Sequence, residues 1–210
     1  KIGRRRLDTH FINLQKLGAK LDYNPQNKMY SVTSSKSLKG TNILLDEASV
    51  TGTANILMAS VLAKGQTTIY NAACEPYIQQ LCKLLNKMGA DIQGIASNLL
   101  KINGVTSLGG ADHDILPDMI EIGSWIGLAA MTRSKLKIKN VIWDNLGQIP
   151  DVFRKLGITI DRDGDDIIIP MHSDGYSVSN YIDGSILTIS DSPWPGFSPD
   201  LISVILVVAT

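Results

Sequence analysis

Cysteines and aromatic residues are scarce in this chain of 210 residues, and its formal net charge is zero. Its two cysteines, Cys74 and Cys82, come without secretory features, so the sequence predicts reduced thiols, no disulfide framework and a cytoplasmic location. Aromatic residues make up 6% of the chain, which argues against stacking platforms for single-stranded nucleic acid. Twenty basic side chains balance twenty acidic ones, and this balance argues against a broad binder of nucleic acid or membranes.

Long apolar runs and metal-ligand spacings are missing as well. The longest apolar run, residues 201–209, is about half as long as a membrane span must be. His10, His113 and His172 have no metal-ligand spacing among themselves or with the cysteines, so no metal site is expected. Residues 161–166 are rich in aspartate like a calcium loop, but their glycine is misplaced, and the Asp-Gly pair predicts a hairpin turn.

The two ends of the sequence are unusual for a complete protein. The first residue is Lys1 rather than methionine, and the apolar stretch of a signal peptide does not follow it. Residues 201–210 resemble a buried helix without a polar end, whereas natural C-termini are mostly polar and exposed. We therefore expect a fragment of a longer protein.

Three glycines mark an internal repeat with a period of about 70 residues. Gly18, Gly89 and Gly157 each follow an amphipathic stretch and precede an alternating one. Because glycine readily adopts the left-handed conformation that ends helices, the pattern predicts a helix before each glycine and a strand after it. A second helix and strand, at 56–62 and 67–71, recur one period later.

The repeated unit predicts an α/β fold. Its order is strand, helix, strand, helix, strand, strand, with hairpins near 97–98 and 163–164. Helices such as 56–63 are apolar nearly all round, which predicts burial on every side and sheets outside a core of helices. Residues 109–112 form the weakest stretch of the pattern and are the best candidate for a crossing between two domains.

Two polar segments are candidate anion sites. The arginine run 4–6, followed by Asp8 and His10, forms either a solvated basic turn or an anion clamp, because arginine forks suit phosphate groups. Ser49 and Thr51 precede a predicted helix. They either cap it or, together with the free amides of its first turn, bind an anion or a ligand hydroxyl.

A third candidate is Asp200, which follows two prolines and a glycine within residues 194–199. Its carboxylate falls at the start of the last predicted helix. There it either complements the helix dipole or serves as a positioned general base, and both interpretations fit the sequence equally.

Five segments, in their order and spacing, resemble the enolpyruvyl transferase family. They are residues 2–10, 49–53, 71–76, 116–123 and 197–200, and together they extend over essentially the whole chain. The resemblance implies two domains, each an inside-out α/β barrel of three βαβαββ units, with the active site in the cleft between them. Residues 1–116 would be the later part of the first barrel, and residues 117–210 the opening part of the second.

The resemblance also implies an activity. A protein of this kind would transfer the enolpyruvyl group of phosphoenolpyruvate to the 3-hydroxyl of UDP-N-acetylglucosamine, the first committed step of peptidoglycan synthesis, without metal or cofactor. Its partners would be these two substrates and the remainder of its own chain, but neither nucleic acid nor a membrane. The fragment alone would be inactive. The alternatives are the sister activity on shikimate 3-phosphate and a catalytically dead homologue that binds UDP-sugars.

Site residues follow from the same resemblance, position by position. Arg5 matches an arginine at the phosphate end of the cleft, and Asp200 matches the carboxylate that contacts the sugar 3-hydroxyl and removes its proton. The residues expected to bind substrate are Arg5, Arg6, Leu7, Asp8, Thr9, His10, Ser49, Val50 and Thr51. Two positions depart from the family pattern. Arg6 stands where many members have proline, which would strengthen diphosphate binding, and Glu47 stands where many have lysine, which removes a cation.

Overall fold

The computed structural model describes residues 7–34 and 36–210, and the chain divides into two compact units between Ile115 and Leu116. Unit 1 precedes this boundary and unit 2 follows it. Unit 1 contains, in chain order, α1 (Asp8–Lys16), β1 (Lys20–Asn24), β2 (Met29–Thr33), β3 (Asn42–Leu44), α2 (Val50–Ser60), β4 (Gln66–Tyr70), α3 (Pro76–Lys87), β5 (Asp91–Gln93) and β6 (Leu99–Asn103). Unit 2 contains α4 (Met119–Met131), β7 (Leu136–Ile138), a 3₁₀ turn (Trp143–Asn145), α5 (Ile149–Lys155), β8 (Asp161–Asp163), β9 (Asp166–Ile169), a 3₁₀ helix (Pro199–Leu201) and α6 (Ile202–Val208).

The larger sheet of unit 1 has the strand order β3-β4-β6-β5. Strands β3 and β4 run parallel, with Ile43 opposite Ile69, because α2 forms the crossover between them. Strand β6 pairs antiparallel with both β4 and β5, and the loop of the β5–β6 hairpin includes the predicted turn at 97–98. Strands β1 and β2 form a separate antiparallel hairpin.

The core of unit 1 lies between this four-stranded sheet and helices α2 and α3. Alternate residues of the strands point to one face of the sheet, and the helices contribute apolar residues three or four positions apart. The cluster includes Ile43, Ile69, Leu100, Ile102, Ile56, Leu57, Ile78, Cys82 and Leu85. Helix α2 is thereby fixed on the sheet, which matters because its N-terminal end carries candidate site residues.

Unit 2 has a three-stranded sheet of order β7-β9-β8, antiparallel throughout. Residues 161–166 form the turn and flanking positions of the β8–β9 hairpin, as predicted, rather than a calcium loop. Ile167 of β9, Ile126 of α4 and Phe153 of α5 are fully buried. Helix α4 contacts α5, α6, β7 and β9, so it is the central helix of this unit.

The three predicted helix-ending glycines do follow helices. Gly18, Gly89 and Gly157 come two positions after the last residues of α1, α3 and α5, with φ angles of 100°, 104° and 86°. These angles lie in the left-handed region, which glycine adopts at little cost. The prediction of these three helix ends is confirmed.

The apolar helices α2, α4 and α6 are not buried on every side. Met58 on α2 and Leu128 on α4 are about half exposed, and Leu206 on α6 is 65% exposed. Each of these helices buries one face, which for α4 includes Ile126, because its neighbours within the described residues cover that face only. The prediction of burial on every side is therefore wrong for this chain.

Candidate functional site

The N-terminal ends of α1 and α2 meet in unit 1 and bring two predicted substrate-binding segments together. We name this place the α1–α2 site, residues 7–10 and 46–55. Thr9 on α1 is buried, and its hydroxyl lies 3.2 Å from Asp46 Oδ1 and 3.1 Å from Glu47 Oε1. A hydroxyl has one proton, so Thr9 donates to one of these carboxylates at a time. In either arrangement it joins the two segments.

Gly52 permits the close approach of the two helices. A Cβ atom at this position would lie 2.9 Å from Thr9 Cγ2 and 3.0 Å from Ser49 Oγ. Both distances are shorter than an ordinary van der Waals contact, so a larger residue would push α1 away from the first turn of α2. The glycine within segment 49–53 is therefore required by the packing of the site.

Ser49 begins α2 as its N-cap. Its side-chain oxygen accepts a hydrogen bond from the amide of Gly52 across 3.1 Å, which confirms the capping interpretation. The amides of Val50 and Thr51 precede the first intrahelical donor and face the end of the helix. The positive end of the helix dipole lies at the same place, so this helix end can also receive an anion.

His10 lies in the same site, with both ring nitrogens against α2. Its Nδ1 is 2.8 Å from Asn55 Nδ2, and its Nε2 is 3.5 Å from Thr51 Oγ1. Thr51 and Asn55 are one helical turn apart and therefore present the same face of α2 to the imidazole. The ring is half-buried between the two helices.

The remaining predicted substrate-binding residues lie at or before the starts of α1 and α2. Leu7 is exposed and is the N-cap of α1, and Asp8 begins the helix, where a carboxylate complements the dipole. Val50 is half-buried at the start of α2. Arg5 and Arg6 lie outside the described residues.

Asp200 is displayed on the surface of unit 2 by the short 3₁₀ helix Pro199–Leu201. Phe197 and Leu201 are fully buried and anchor this helix on both sides of the aspartate. Ser198 caps it, because its Oγ accepts a hydrogen bond from the Asp200 amide across 3.3 Å. The backbone is thus fixed by its neighbours, while Asp200 itself is exposed.

Metal-binding and membrane-spanning features are absent from residues 7–34 and 36–210. In these residues no group of three or more His, Cys, Asp or Glu side chains could hold a metal ion, and no helix is long and apolar enough to cross a bilayer. Cys74 and Cys82 are not joined in a disulfide. Burial raises the pKa of Cys82 to about 11, and burial together with the nearby charge of Glu75 raises the pKa of Cys74. Neither thiol is therefore an activated nucleophile at neutral pH.

The sequence patterns missed two members of the α1–α2 site, Asp46 and Asn55. A signal for Asn55 existed, because it lies four positions after Thr51 and such pairs share one helix face. The predicted helix began at residue 56, however, which left Asn55 outside it, whereas α2 begins at Val50. For Asp46 the sequence offered only its place beside Glu47, before the cap of a helix.

Several known proteins are similar to this chain. A sequence profile of the family described as EPSP synthase (3-phosphoshikimate 1-carboxyvinyltransferase) matches residues 1–205. The chain is 66% identical over 210 residues to the UDP-N-acetylglucosamine 1-carboxyvinyltransferase of Bacteroides fragilis, and 50% identical over 209 residues to that of Treponema denticola. Both alignments cover 100% of this chain and 48% of the relative, so the chain spans about half the length of the curated relatives it matches.

Solved structures share the fold at lower sequence identity. The enolpyruvyl transferase NikO from Streptomyces tendae has a TM-score of 0.73 at 14% identity, over 97% of this chain and 49% of NikO. EPSP synthase from Acinetobacter baumannii has a TM-score of 0.57 at 20% identity, over 79% of this chain and 40% of that protein. These likenesses support the α/β fold. Because the family profile matches nearly the entire sequence, the chain belongs to the EPSP synthase family of enolpyruvyl transferases.

Proposed function

We propose that the chain is part of an enzyme that transfers the enolpyruvyl group of phosphoenolpyruvate to the 3-hydroxyl of UDP-N-acetylglucosamine. The observation that carries this proposal is the 66% identity, over all 210 residues, to a Bacteroides fragilis protein named UDP-N-acetylglucosamine 1-carboxyvinyltransferase. The reaction would be the first committed step of peptidoglycan synthesis, and would thus serve cell-wall growth, cell shape and division. Cys74 and Cys82 form no disulfide with each other, which supports a cytoplasmic location.

The α1–α2 site would hold the nucleotide part of the acceptor. The amides of Val50 and Thr51 at the positive end of α2 suit a diphosphate, because a helix N-terminus combines unpaired donors with a favourable dipole. Arg5 and Arg6 would add guanidinium groups, whose planar forks match phosphate oxygens. The carboxylate of Glu47 would repel the diphosphate. We therefore place Glu47 beside the uridine, from which its carboxylate would accept a hydrogen bond.

Asp200 would act as the general base. Its carboxylate would accept the proton of the sugar 3-hydroxyl while that oxygen bonds to C2 of phosphoenolpyruvate, and a general acid would protonate C3. The resulting tetrahedral intermediate would lose a C3 proton and phosphate, which restores the double bond. A cation at Arg5 would stabilise the departing phosphate. Neither Cys74 nor Cys82 is placed in this scheme, because neither matches the position of the family's general acid.

The repeated-unit architecture belongs to the same proposal. Unit 1 contains the order β3-α2-β4-α3-β5-β6, and unit 2 contains α4-β7-α5-β8-β9. The sheet orders β4-β6-β5 and β7-β9-β8 share the same antiparallel pairing, which supports repetition of one unit. Helices α2, α4 and α6 have exposed apolar faces, which supports the interpretation that they line the interior of an inside-out barrel. Residues 1–116 would be the later part of one barrel and residues 117–210 the opening part of a second.

The alternative acceptor is shikimate 3-phosphate, because the matching family profile is described as 3-phosphoshikimate 1-carboxyvinyltransferase. The EPSP synthase of Acinetobacter baumannii is only 20% identical to this chain, however, against 66% for the Bacteroides fragilis protein. A catalytically dead homologue that binds UDP-sugars is the third possibility. The presence of aspartate at position 200, which matches the family's general base, supports an enzyme.

The test is turnover by the full-length protein. Phosphate release from phosphoenolpyruvate is measured with UDP-N-acetylglucosamine and, in parallel, with shikimate 3-phosphate. We expect turnover with the nucleotide sugar only, and no turnover by residues 1–210 alone. Turnover with shikimate 3-phosphate alone would overturn the choice of acceptor, and tight binding of the nucleotide sugar without turnover would identify a dead homologue.

A further inference from the structure

The contact between His10 and Asn55 joins α1 to α2 through two side chains that are 45 positions apart. The 2.8 Å between His10 Nδ1 and Asn55 Nδ2 is a good hydrogen-bond distance. On the other side of the ring, His10 Nε2 lies 3.5 Å from Thr51 Oγ1. One face of α2 therefore contacts the imidazole at both nitrogens.

The chemistry of these atoms determines where the ring proton lies. An amide nitrogen donates and does not accept, so Nδ1 of His10 accepts the bond from Asn55 and carries no proton. A neutral imidazole then carries its proton on Nε2. Nε2 faces Thr51 in the first turn of α2, where the amides of Val50 and Thr51 precede the first intrahelical donor. The ring thus adds a third donor at this helix end.

We propose that Asn55 is a positioning residue that holds His10 in the Nε2–H tautomer, so that this N–H donates to a phosphate oxygen of the bound nucleotide. The identity of the nucleotide rests on the proposed function, whereas the tautomer does not. Asn55 acts on the substrate only through His10, and we propose no direct contact between Asn55 and the substrate. Without such a partner, a histidine divides its proton between two nitrogens and its ring turns over, so only a fraction of molecules present the donor.

Asparagine suits this role because it donates to Nδ1 without carrying a charge. Aspartate at position 55 would accept a hydrogen bond from Nδ1–H, and would favour the opposite tautomer or the charged ring. Leucine has nearly the shape of asparagine but neither donates nor accepts a hydrogen bond. Asn55→Asp and Asn55→Leu therefore separate the hydrogen-bond donor from the volume of the side chain.

The test measures the tautomer and the substrate binding of the full-length protein. Histidine ring ¹⁵N shifts distinguish Nε2–H from Nδ1–H, and the signal that disappears in His10→Ala belongs to His10. In the absence of ligand and at a pH where the ring is neutral, we expect Nε2–H in the wild type, Nδ1–H in Asn55→Asp and a mixture in Asn55→Leu. The KM for UDP-N-acetylglucosamine should rise about tenfold in both variants, because a hydrogen bond to a charged group is weakened. The value of kcat should change by less than about twofold, since the contact acts on ground state and transition state alike.

The matched control is Gln15→Leu, an exposed position on α1, which should leave both the tautomer and the KM unchanged. An Nδ1–H tautomer in the wild type, or a wild-type KM in Asn55→Leu, would overturn the inference. Because Asn55 is exposed, both variants are expected to fold, and thermal unfolding verifies this. The absence of turnover with either acceptor would reject the proposed function, whereas the ligand-free tautomer tests the role of Asn55 independently.

Discussion

The buried hydroxyl of Thr53 accepts a hydrogen bond from the backbone amide of Ala73 across 2.9 Å. Thr53 follows Gly52 on α2, and Ala73 lies between β4 and α3. The bond therefore fastens the helix that forms one wall of the α1–α2 site to the core of unit 1. A buried amide without an acceptor is costly, so this hydroxyl has a structural role.

Removal of this acceptor should destabilise the protein. Thr53→Val keeps the volume but leaves the Ala73 amide unpaired, which should lower the free energy of unfolding by about 1–3 kcal/mol. Thr53→Ser is the control, since it keeps the hydroxyl and loses one methyl group, at a cost of about 0.8 kcal/mol. Urea unfolding of the full-length protein measures both effects. Equal midpoints for Thr53→Val and the wild type would contradict the role of the bond.

Replacement of the proposed base should abolish turnover without disturbing the fold. Asp200→Asn cannot accept the hydroxyl proton, so kcat should fall by about 10²- to 10⁴-fold. The 3₁₀ helix should persist, because its cap is the Ser198 hydroxyl and its anchors are buried neighbours rather than the Asp200 carboxylate. Asp191→Asn, an exposed carboxyl in the preceding loop, is the control and should retain wild-type turnover. Near-normal kcat in Asp200→Asn would exclude this residue as the base.

Two helix-ending glycines should differ in their tolerance of alanine. Both Gly18 and Gly157 have left-handed φ angles, so alanine at either position costs about 1–2 kcal/mol of backbone strain. A Cβ atom at Gly18 would meet open space, whereas one at Gly157 would overlap the backbone of Ser177. Gly157→Ala should therefore lower the midpoint of thermal unfolding more than Gly18→Ala. Identical midpoints would show that the segment around Ser177 moves away without cost.

Local patterns predicted those parts of the fold that neighbouring residues determine. The helix ends at Gly18, Gly89 and Gly157 follow from the backbone preference of glycine and from the amphipathic stretch before it, both of which are visible within about ten residues. The place of the β8–β9 hairpin was predictable for the same reason, although its two loop residues are Gly164 and Asp165 rather than Asp163 and Gly164. Neither inference needs any knowledge of distant segments.

Contacts between distant segments were not predictable in this way. Asn55 meets His10 across 45 positions, and only the packing of α1 on α2 at Gly52 brings the two side chains together. The burial of the apolar helices failed as a prediction for a related reason. Apolar residues on all sides of α4 indicate that burial of the whole helix would be favourable. They do not indicate which neighbouring elements are present, and Leu128 remains exposed.

Asp166 should make unit 2 sensitive to acid. Its carboxylate accepts a hydrogen bond from the amide of Asn140 across 2.9 Å and lies 3.0 Å from Lys137 Nζ. The bond from Asn140, and then the bond from Lys137, lower the pKa of Asp166 below its ordinary value of 3.8. A carboxyl with a lowered pKa binds fewer protons in the folded than in the unfolded state. Its contribution to stability is therefore present above the ordinary pKa and is lost as the pH falls through the lowered one.

Asp166→Asn should accordingly flatten the acid side of the stability profile. Urea unfolding at a series of pH values should show wild-type stability falling faster than that of the variant below about pH 4, with little change in their difference above that pH. Asp161→Asn, an exposed position in the same hairpin, is the control and should retain the wild-type slope. Asparagine at position 166 still offers an oxygen to the Asn140 amide, so that hydrogen bond can remain. A changed slope therefore reports the loss of the titratable carboxyl group. Equal slopes in Asp166→Asn and the wild type would therefore show that the lowered pKa of Asp166 has no effect on folding.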